Sequence, residues 1–317
     1  MLPSSPMLNL QLVRLRWAVL ISYCWLAVPL AYAASPPEPL NIVVTIPVLK
    51  DLTEQVGGPH VRVTSLLSGY ENEHTYSPKP SDLVAVRKAR LLFEVGIGLE
   101  VWVSSLVRNA GSASLRVITT SKGIALLRDR PNRNGAAHAA EEEDRGNPHV
   151  WMDPENATTM MRHITEALIQ IDPSHATEYR TNQASYLRKL DQLRGELSDR
   201  ITRLADRRFI AHHPAWPYFA RRFGFQIVGT IQPQSGSEPS ALQLHALIVK
   251  INKERIKVVV SEIQLSQKFP ELLAKETGAR VVVLTILPGG LPHTETYLDM
   301  LRYNVLQLAN ALDGPIG

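Results

Sequence analysis

Residues 172–205, DPSHATEYRTNQASYLRKLDQLRGELSDRITRLA, decide how the rest of the chain is divided. Tyr179, Tyr186, Leu190, Leu193, Leu197, Ile201 and Leu204 recur at helical intervals and place one apolar stripe along a single helix. About 28 residues at a 1.5 Å rise make a rod of roughly 40 Å. A coiled-coil arm calls for a longer stripe without aromatics. The segment 174–205 therefore reads as a stiff connector between two bodies.

Both bodies show the same rhythm. Before the connector, NIVVTI (41–46), VRVTSLL (61–67), LLFEVG (91–96) and LRVITT (115–120) are β-rich runs. Between them lie the helical stretches VLKDLTEQVGG (48–58), DLVAVRKA (82–89), with Ser81 as its cap, and GLEVWVSSLVRNAG (98–111). ENATTMMRHITEALIQI (155–171) adds a further helix. After the connector, RRFIAHH (207–213), FQIVGTI (225–231), RIKVVVSEI (255–263) and ARVVVLTIL (279–287) are strands. They alternate with helical AWPYFARRFG (215–224), ALQLHALIVKIN (241–252) capped by Ser240, and FPELLAKETG (269–278), and the last helix falls within 294–312. Alternation of this kind implies mainly parallel sheets covered by helices. The expected fold is α/β, with lobes at 38–170 and 208–317 joined by one long rigid helix.

The N-terminus carries a different pattern. Arg14 and Arg16 flank an apolar core, Ala18 to Leu30, and Ala31-Tyr32-Ala33 fits a small-x-small cleavage site, so residues 1–33 read as a secretion signal. Cys24, the sole cysteine, lies inside that core behind bulky Tyr23, where lipid attachment calls for a small residue. The mature chain then has no thiol, which excludes disulfides, thiolate metal ligands and a cysteine nucleophile. The formal charge of +4 falls to +2 without Arg14 and Arg16, and gives no support for nucleic-acid binding.

Of the ten histidines, three stand apart. His74, His149 in GNPHVWMDP (146–154) and His213 each fall at a β-to-α transition, and in open α/β sheets ligands collect at strand ends. His212 is the alternative to His213, because strand alternation turns the two neighbours to opposite faces. Three neutral imidazoles suit zinc, and manganese draws more oxygen donors. His60, His163, His175, His245 and His293 read as solvated or locally bonded. The stretch 134–146, with His138 and the acids 141–144, reads as a plain solvated loop, with a weak metal-collecting loop as the alternative. HExxH, G-x-S-x-G, dinucleotide and phosphate-loop motifs are all missing, and Glu73 and Glu262 read as surface carboxylates rather than bases.

Several stretches in order resemble the periplasmic metal-binding proteins of bacterial ABC importers for zinc and manganese, the zinc-uptake type in particular. They are EHTYSPKPSDL (73–83), GIGLEVW (96–102), NPHVWMDPENA (147–157), HPAWPYFARRFG (213–224) and SEIQLSQK (261–268), followed by the last strand and helix. The resemblance implies two α/β lobes bridged by a rigid helix, with the metal in the interlobe cleft. It implies His74, His149 and His213 as ligands, and so favours His213 over His212. Many relatives supply a fourth ligand from Asp-Pro-Leu after the last strand. The matching stretch here, Thr285-Ile286-Leu287, has no carboxylate, and Thr285 offers only a neutral hydroxyl. Glu262 is taken as the fourth ligand, with Glu73 or water as alternatives. The implied function is high-affinity capture of Zn²⁺ in the periplasm, by a monomer, and delivery to the permease of an ABC transporter. No catalysis is implied, and manganese is the alternative metal. The competing readings are a surface metal-binding adhesin and, third, a zinc-dependent hydrolase.

Overall fold

Eight short strands form two separate parallel sheets with one topology. In the computed structural model, which describes residues 38–128, 146–233 and 237–314, the strands β1 (Leu40–Val44), β2 (Val61–Ser65), β3 (Leu91–Glu94) and β4 (Arg116–Thr119) lie in the order β2-β1-β3-β4. Strands β5 (Arg208–Ala211), β6 (Gln226–Thr230), β7 (Val258–Glu262) and β8 (Arg280–Leu284) repeat it as β6-β5-β7-β8. Every observed pairing is parallel. In each sheet the order reverses beside its first strand, so a crevice is expected at the C-terminal ends of β1/β3 and of β5/β7.

The helices are α1 (Pro47–Gly57), α2 (Pro80–Lys88), α3 (Val103–Ala110), α4 (Pro154–Ile171), α5 (Ala176–Thr202), α6 (Pro217–Phe223), α7 (Ala241–Glu254), α8 (Lys268–Thr277) and α9 (Tyr297–Asp313). Two local expectations are corrected. Ser81 does not cap α2: Pro80, with its fixed φ and missing N–H, takes the first helical position, and Lys79 precedes it. The Asp82 carboxylate then accepts from Lys79 N at 2.7 Å and from the Tyr76 hydroxyl at 2.7 Å. Helix α3 begins at Val103 rather than near Gly98, because Gly96, Ile97 and Gly98 all have positive φ. Ser240 does cap α7, accepting from Gln243 N at 3.3 Å while Gln243 Oε1 accepts from Ser240 N at 2.7 Å.

The connector is α5, 27 residues preceded by a single 3₁₀ turn at Pro173–His175. Tyr179, Tyr186, Leu190, Leu193, Leu197 and Ile201 of its stripe are all buried. Its apolar face packs on α1 and α4 of the first lobe and on α6 and α9 of the second. One apolar core consequently runs from Ile42 through Leu190 to Leu312, and a smaller one fills the space between the second sheet and helices α7 and α8.

Polar ties reinforce the joint. The Asp51 carboxylate of α1 accepts from the Tyr186 hydroxyl at 2.8 Å and from Tyr297 N, at the start of α9, at 3.0 Å. Asp153 caps α4 through Glu155 N at 2.9 Å and is fully buried against Arg222 of α6, with the second guanidinium contact at 3.1 Å. Among the described residues, no helix is long and apolar enough to cross a membrane. The secretion signal at 1–33, Cys24, and the acidic loop up to residue 145 lie outside the described residues.

Two substitutions test this joint by urea denaturation of the metal-free chain. Leu190→Ala removes a stripe residue that is 4% exposed and is expected to cost about 2–5 kcal/mol. Arg222→Ala leaves the Asp153 carboxylate with the cap to Glu155 N and, as its remaining cation, Arg221 at 3.4 Å. Its expected cost is roughly 3 kcal/mol, the penalty of a buried charge losing its main partner. Losses under about 0.5 kcal/mol, typical of surface changes, would contradict the joint described.

Candidate metal centre

Glu73 and His74 stand on the polar segment between β2 and α2. The Asn72 side chain shapes the turn, its Oδ1 accepting from His74 N at 2.9 Å and Thr75 N at 3.3 Å. Trp102 Nε1 donates to Glu73 O at 3.2 Å and fixes the segment from its own lobe.

His149 precedes the short 3₁₀ turn Val150–Met152 that leads into α4. Asn147 Oδ1 accepts from His149 N at 3.0 Å and stands 3.0 Å from His149 Nδ1. Nδ1 must be the donor there, which leaves the Nε2 lone pair free. Asn147 Nδ2 in turn donates to Pro214 O of the second lobe at 2.5 Å, and the Tyr218 hydroxyl donates to Asn147 O at 2.9 Å.

His213 follows β5, and Glu262 is the last residue of β7, so both occupy the crevice of the second sheet. His213 Nδ1 lies 2.8 Å from Glu262 Oε1 and 2.7 Å from Oε2, and Trp216 Nε1 donates to Oε1 at 2.9 Å. His212 turns away, its Nδ1 accepting from Glu262 N at 3.2 Å.

The four remaining donors converge. His149 Nε2 is 3.1 Å from His74 Nε2, 3.2 Å from His213 Nε2 and 3.2 Å from Glu73 Oε1. Glu73 Oε1 is 3.5 Å from His74 Nε2 and 4.0 Å from His213 Nε2. Glu73, His149 and His213 are buried, and His74 is the most accessible of the set. The structure thus brings together His74, His149, His213 and Glu73. It places Glu262 behind His213, on the Nδ1 side, outside the cluster. Its carboxylate is already engaged there by the His213 ring, the His213 amide and the Trp216 indole.

Burial pushes the His149 imidazole well below its ordinary value, with the neighbouring His213 charge adding to it. Burial likewise lowers His74, to about 3, although Glu73 opposes the shift. For His213 burial also acts downward, but the charge of Glu262, the hydrogen bond to it and the charge of Glu73 together raise it. Burial would raise the Glu262 carboxyl, and His213 reverses that and lowers it. Neutral imidazoles with their Nε2 atoms directed at one buried point can ligate a cation, and a cation at His213 Nε2 displaces any proton there.

Thr285 is buried, and its hydroxyl donates to Leu287 O at 2.7 Å and accepts from Gln264 Nε2 at 2.8 Å. His163 donates from Nδ1 to Thr120 O at 2.7 Å, and His60 pairs with Glu178 at 2.9 Å, both local roles. Sequence reasoning passed over Asn147, although a short amide two residues before a histidine is a recognisable orienting element. It also passed over Gln264, whose partners are 195 and 21 residues away.

Comparison with known proteins agrees with this architecture. A putative metal-binding protein of Treponema pallidum (strain Nichols) is 29% identical over 278 residues, covering 86% of this chain and 87% of the relative. The manganese-binding lipoprotein MntA of Halalkalibacterium halodurans is 28% identical, covering 84% of this chain and 87% of its own. The crystal structure of a zinc-bound ZnuA deletion mutant superposes with a TM-score of 0.76 at 30% identity, over 87% of this chain and 99% of that one. The family model described as zinc-uptake complex component A, periplasmic, matches residues 42–311. Family membership implies two partners, a divalent metal ion and an ABC transporter permease. A match running from the first strand into the last helix leaves one assignment: the chain belongs to the zinc-uptake complex component A family, the non-catalytic periplasmic carriers that capture a divalent metal for a bacterial ABC importer.

Proposed function

We propose that the captured metal is Zn²⁺ and that Glu73, His74, His149 and His213 are its ligands. One observation carries this reading: three imidazole nitrogens and one carboxylate oxygen lie within 4.8 Å of one another. Zinc takes four ligands tetrahedrally at about 2.1 Å, which sets neighbouring donors about 3.4 Å apart. The separations from 3.1 to 4.0 Å bracket that spacing. Manganese favours six donors rich in oxygen, and a set of three nitrogens with one oxygen suits it less well. The carboxylate is Glu73 in place of Glu262, and it offsets the one absent from the Thr285–Leu287 stretch.

Glu262 then acts one layer out. By accepting the Nδ1 proton of His213 it holds the tautomer that presents Nε2 to the metal, and it adds a second negative charge near the dication. One chain supplies every donor, so the carrier works as a monomer. Residues 1–33 direct its export. The lobes at 38–170 and 208–317 receive zinc between them and present it to the permease, with 174–205 limiting their relative motion.

Competitive titration of the apo protein tests the metal. Zinc is expected to bind more than roughly tenfold tighter than manganese. Equal or tighter manganese binding would sink the assignment. His149→Ala should weaken zinc binding by at least about 100-fold, because one of only four donors is lost. X-ray absorption of the zinc-loaded variants separates the carboxylates. Glu73→Gln is expected to alter the oxygen contribution to the metal sphere. Glu262→Gln should leave three nitrogens and one oxygen in place while costing roughly 10–100-fold in affinity. If Glu262→Gln changed the metal sphere and Glu73→Gln did not, Glu262 would be the ligand.

A further inference from the structure

The segment that carries Glu73 and His74 is gripped by the second lobe beside Gly69. Gln264, two residues beyond the end of β7, donates from Nε2 to Gly69 O at 2.7 Å and to Thr285 Oγ1 at 2.8 Å. Gly69 has φ +109°, and a Cβ there would lie 2.5 Å from Pro288 O. Gly290 faces it, and a Cβ there would meet Thr285 Oγ1 at 2.4 Å and Gly69 O at 2.9 Å. Two backbones from different lobes therefore touch where only glycine fits.

Thr285 is in turn anchored to α9, with Asn304 Nδ2 donating to Thr285 O at 2.7 Å and Thr285 N donating to Asn304 Oδ1 at 3.2 Å. A hydrogen-bonded line thus runs from the core of the second lobe, through Asn304, Thr285 and Gln264, to the start of the ligand-bearing segment. Among the described residues, the other side-chain hydrogen bonds of that segment stay within its own lobe, at Trp102, Asn72, His149 and the Ser68–Glu71 pair. Gln264 Oε1 is buried with no hydrogen-bond partner among the described residues. Parting the contact would break the Gly69 bond and hydrate that oxygen, while the Thr285 bond stays within the second lobe, so one donor bond favours closure and one lone acceptor favours opening. Such a contact is suited to opening and reclosing.

We propose that the Gln264 carboxamide is a positioning clasp that sets how fast the Gly69–His74 segment opens to let a divalent cation enter and leave. The proposal rests on the four-ligand reading above. The clasp joins lobe to lobe without touching the ligand atoms, so it changes the population of the open form alike in the empty and loaded protein. A shift of that kind alters both rates and leaves affinity nearly constant.

Stopped-flow kinetics on the mature chain tests this, with zinc mixed into apo protein for association and a strong chelator for dissociation. Gln264→Glu keeps the size of the side chain and removes its donor. Both rates are expected to rise up to roughly tenfold, the scale of one hydrogen bond. The dissociation constant should stay within about threefold. Thr285→Val, which removes one partner of the carboxamide, should move both rates the same way by less, and it carries the test if Gln264→Glu does not fold. Unchanged rates would overturn the clasp. So would a weaker dissociation constant with an unchanged association rate, since that is the mark of a purely structural support. His149→Ala separates the two proposals. If it binds zinc as the parent does, the four-ligand reading fails. If it loses zinc while Gln264→Glu keeps parental rates, only the clasp fails.

Discussion

Three imidazole nitrogens and a carboxylate aimed at one buried point are an arrangement that nothing in the point itself stabilises. Without a cation the lone pairs repel and the carboxylate is desolvated, so the geometry must be enforced from outside. Much of the chain serves that enforcement. Asn147 and Glu262 each hold a ring at Nδ1, and through Pro214 the first of these reaches across to the other lobe. Behind them, Asp51 ties α1, α5 and α9 together, and the buried Asp153–Arg222 pair fixes the start of α4 just beyond His149.

The two sheets share a strand order and use it differently. At the β5/β7 crevice the second lobe places His213 and Glu262. At the matching β1/β3 crevice the first lobe buries its own carboxyl, Glu100, which accepts from Thr45 Oγ1 at 2.7 Å and from the amides of Val95 and Gly96 at 2.8 and 2.9 Å. Burial pushes that carboxyl up to about 7 despite those three donors. With this crevice filled by a side chain of its own lobe, the first lobe brings Glu73, His74 and His149 to the cluster from two longer segments, after β2 and after β4. Those segments are the ones that need orienting by Asn72, Trp102 and Asn147.

The fold was largely readable because it is written in local periodicity. The stripe from Tyr179 to Ile201 named the spine, and β-rich runs named all eight strands. Local expectations failed where one residue overrode its neighbours, as Pro80 did Ser81, and as the positive φ values at 96–98 did the start of α3. At the site, the convergence of His74, His149 and His213 was reachable through their strand-end positions and the family resemblance. The place of the carboxylates was not. Glu73 and Glu262 both lie beside a histidine, and only three-dimensional direction separates an oxygen on the Nε2 side from one on the Nδ1 side. Contacts such as Gln264 to Gly69 carry no sequence signature, because a glutamine in a loop has no periodicity to betray its partner.

The apolar spine has a consequence for the molecule's architecture. A duplicated topology suggests two halves that could be parted, each with its own sheet. Yet α5 offers a single stripe, and α1, α4, α6 and α9 all share it. Cutting the chain on either side of the helix would leave one half with an uncovered apolar face and the other with an exposed rod. The lobes are similar in plan but joined like the two leaves of a book on one binding, and the larger core of the molecule belongs to both leaves at once.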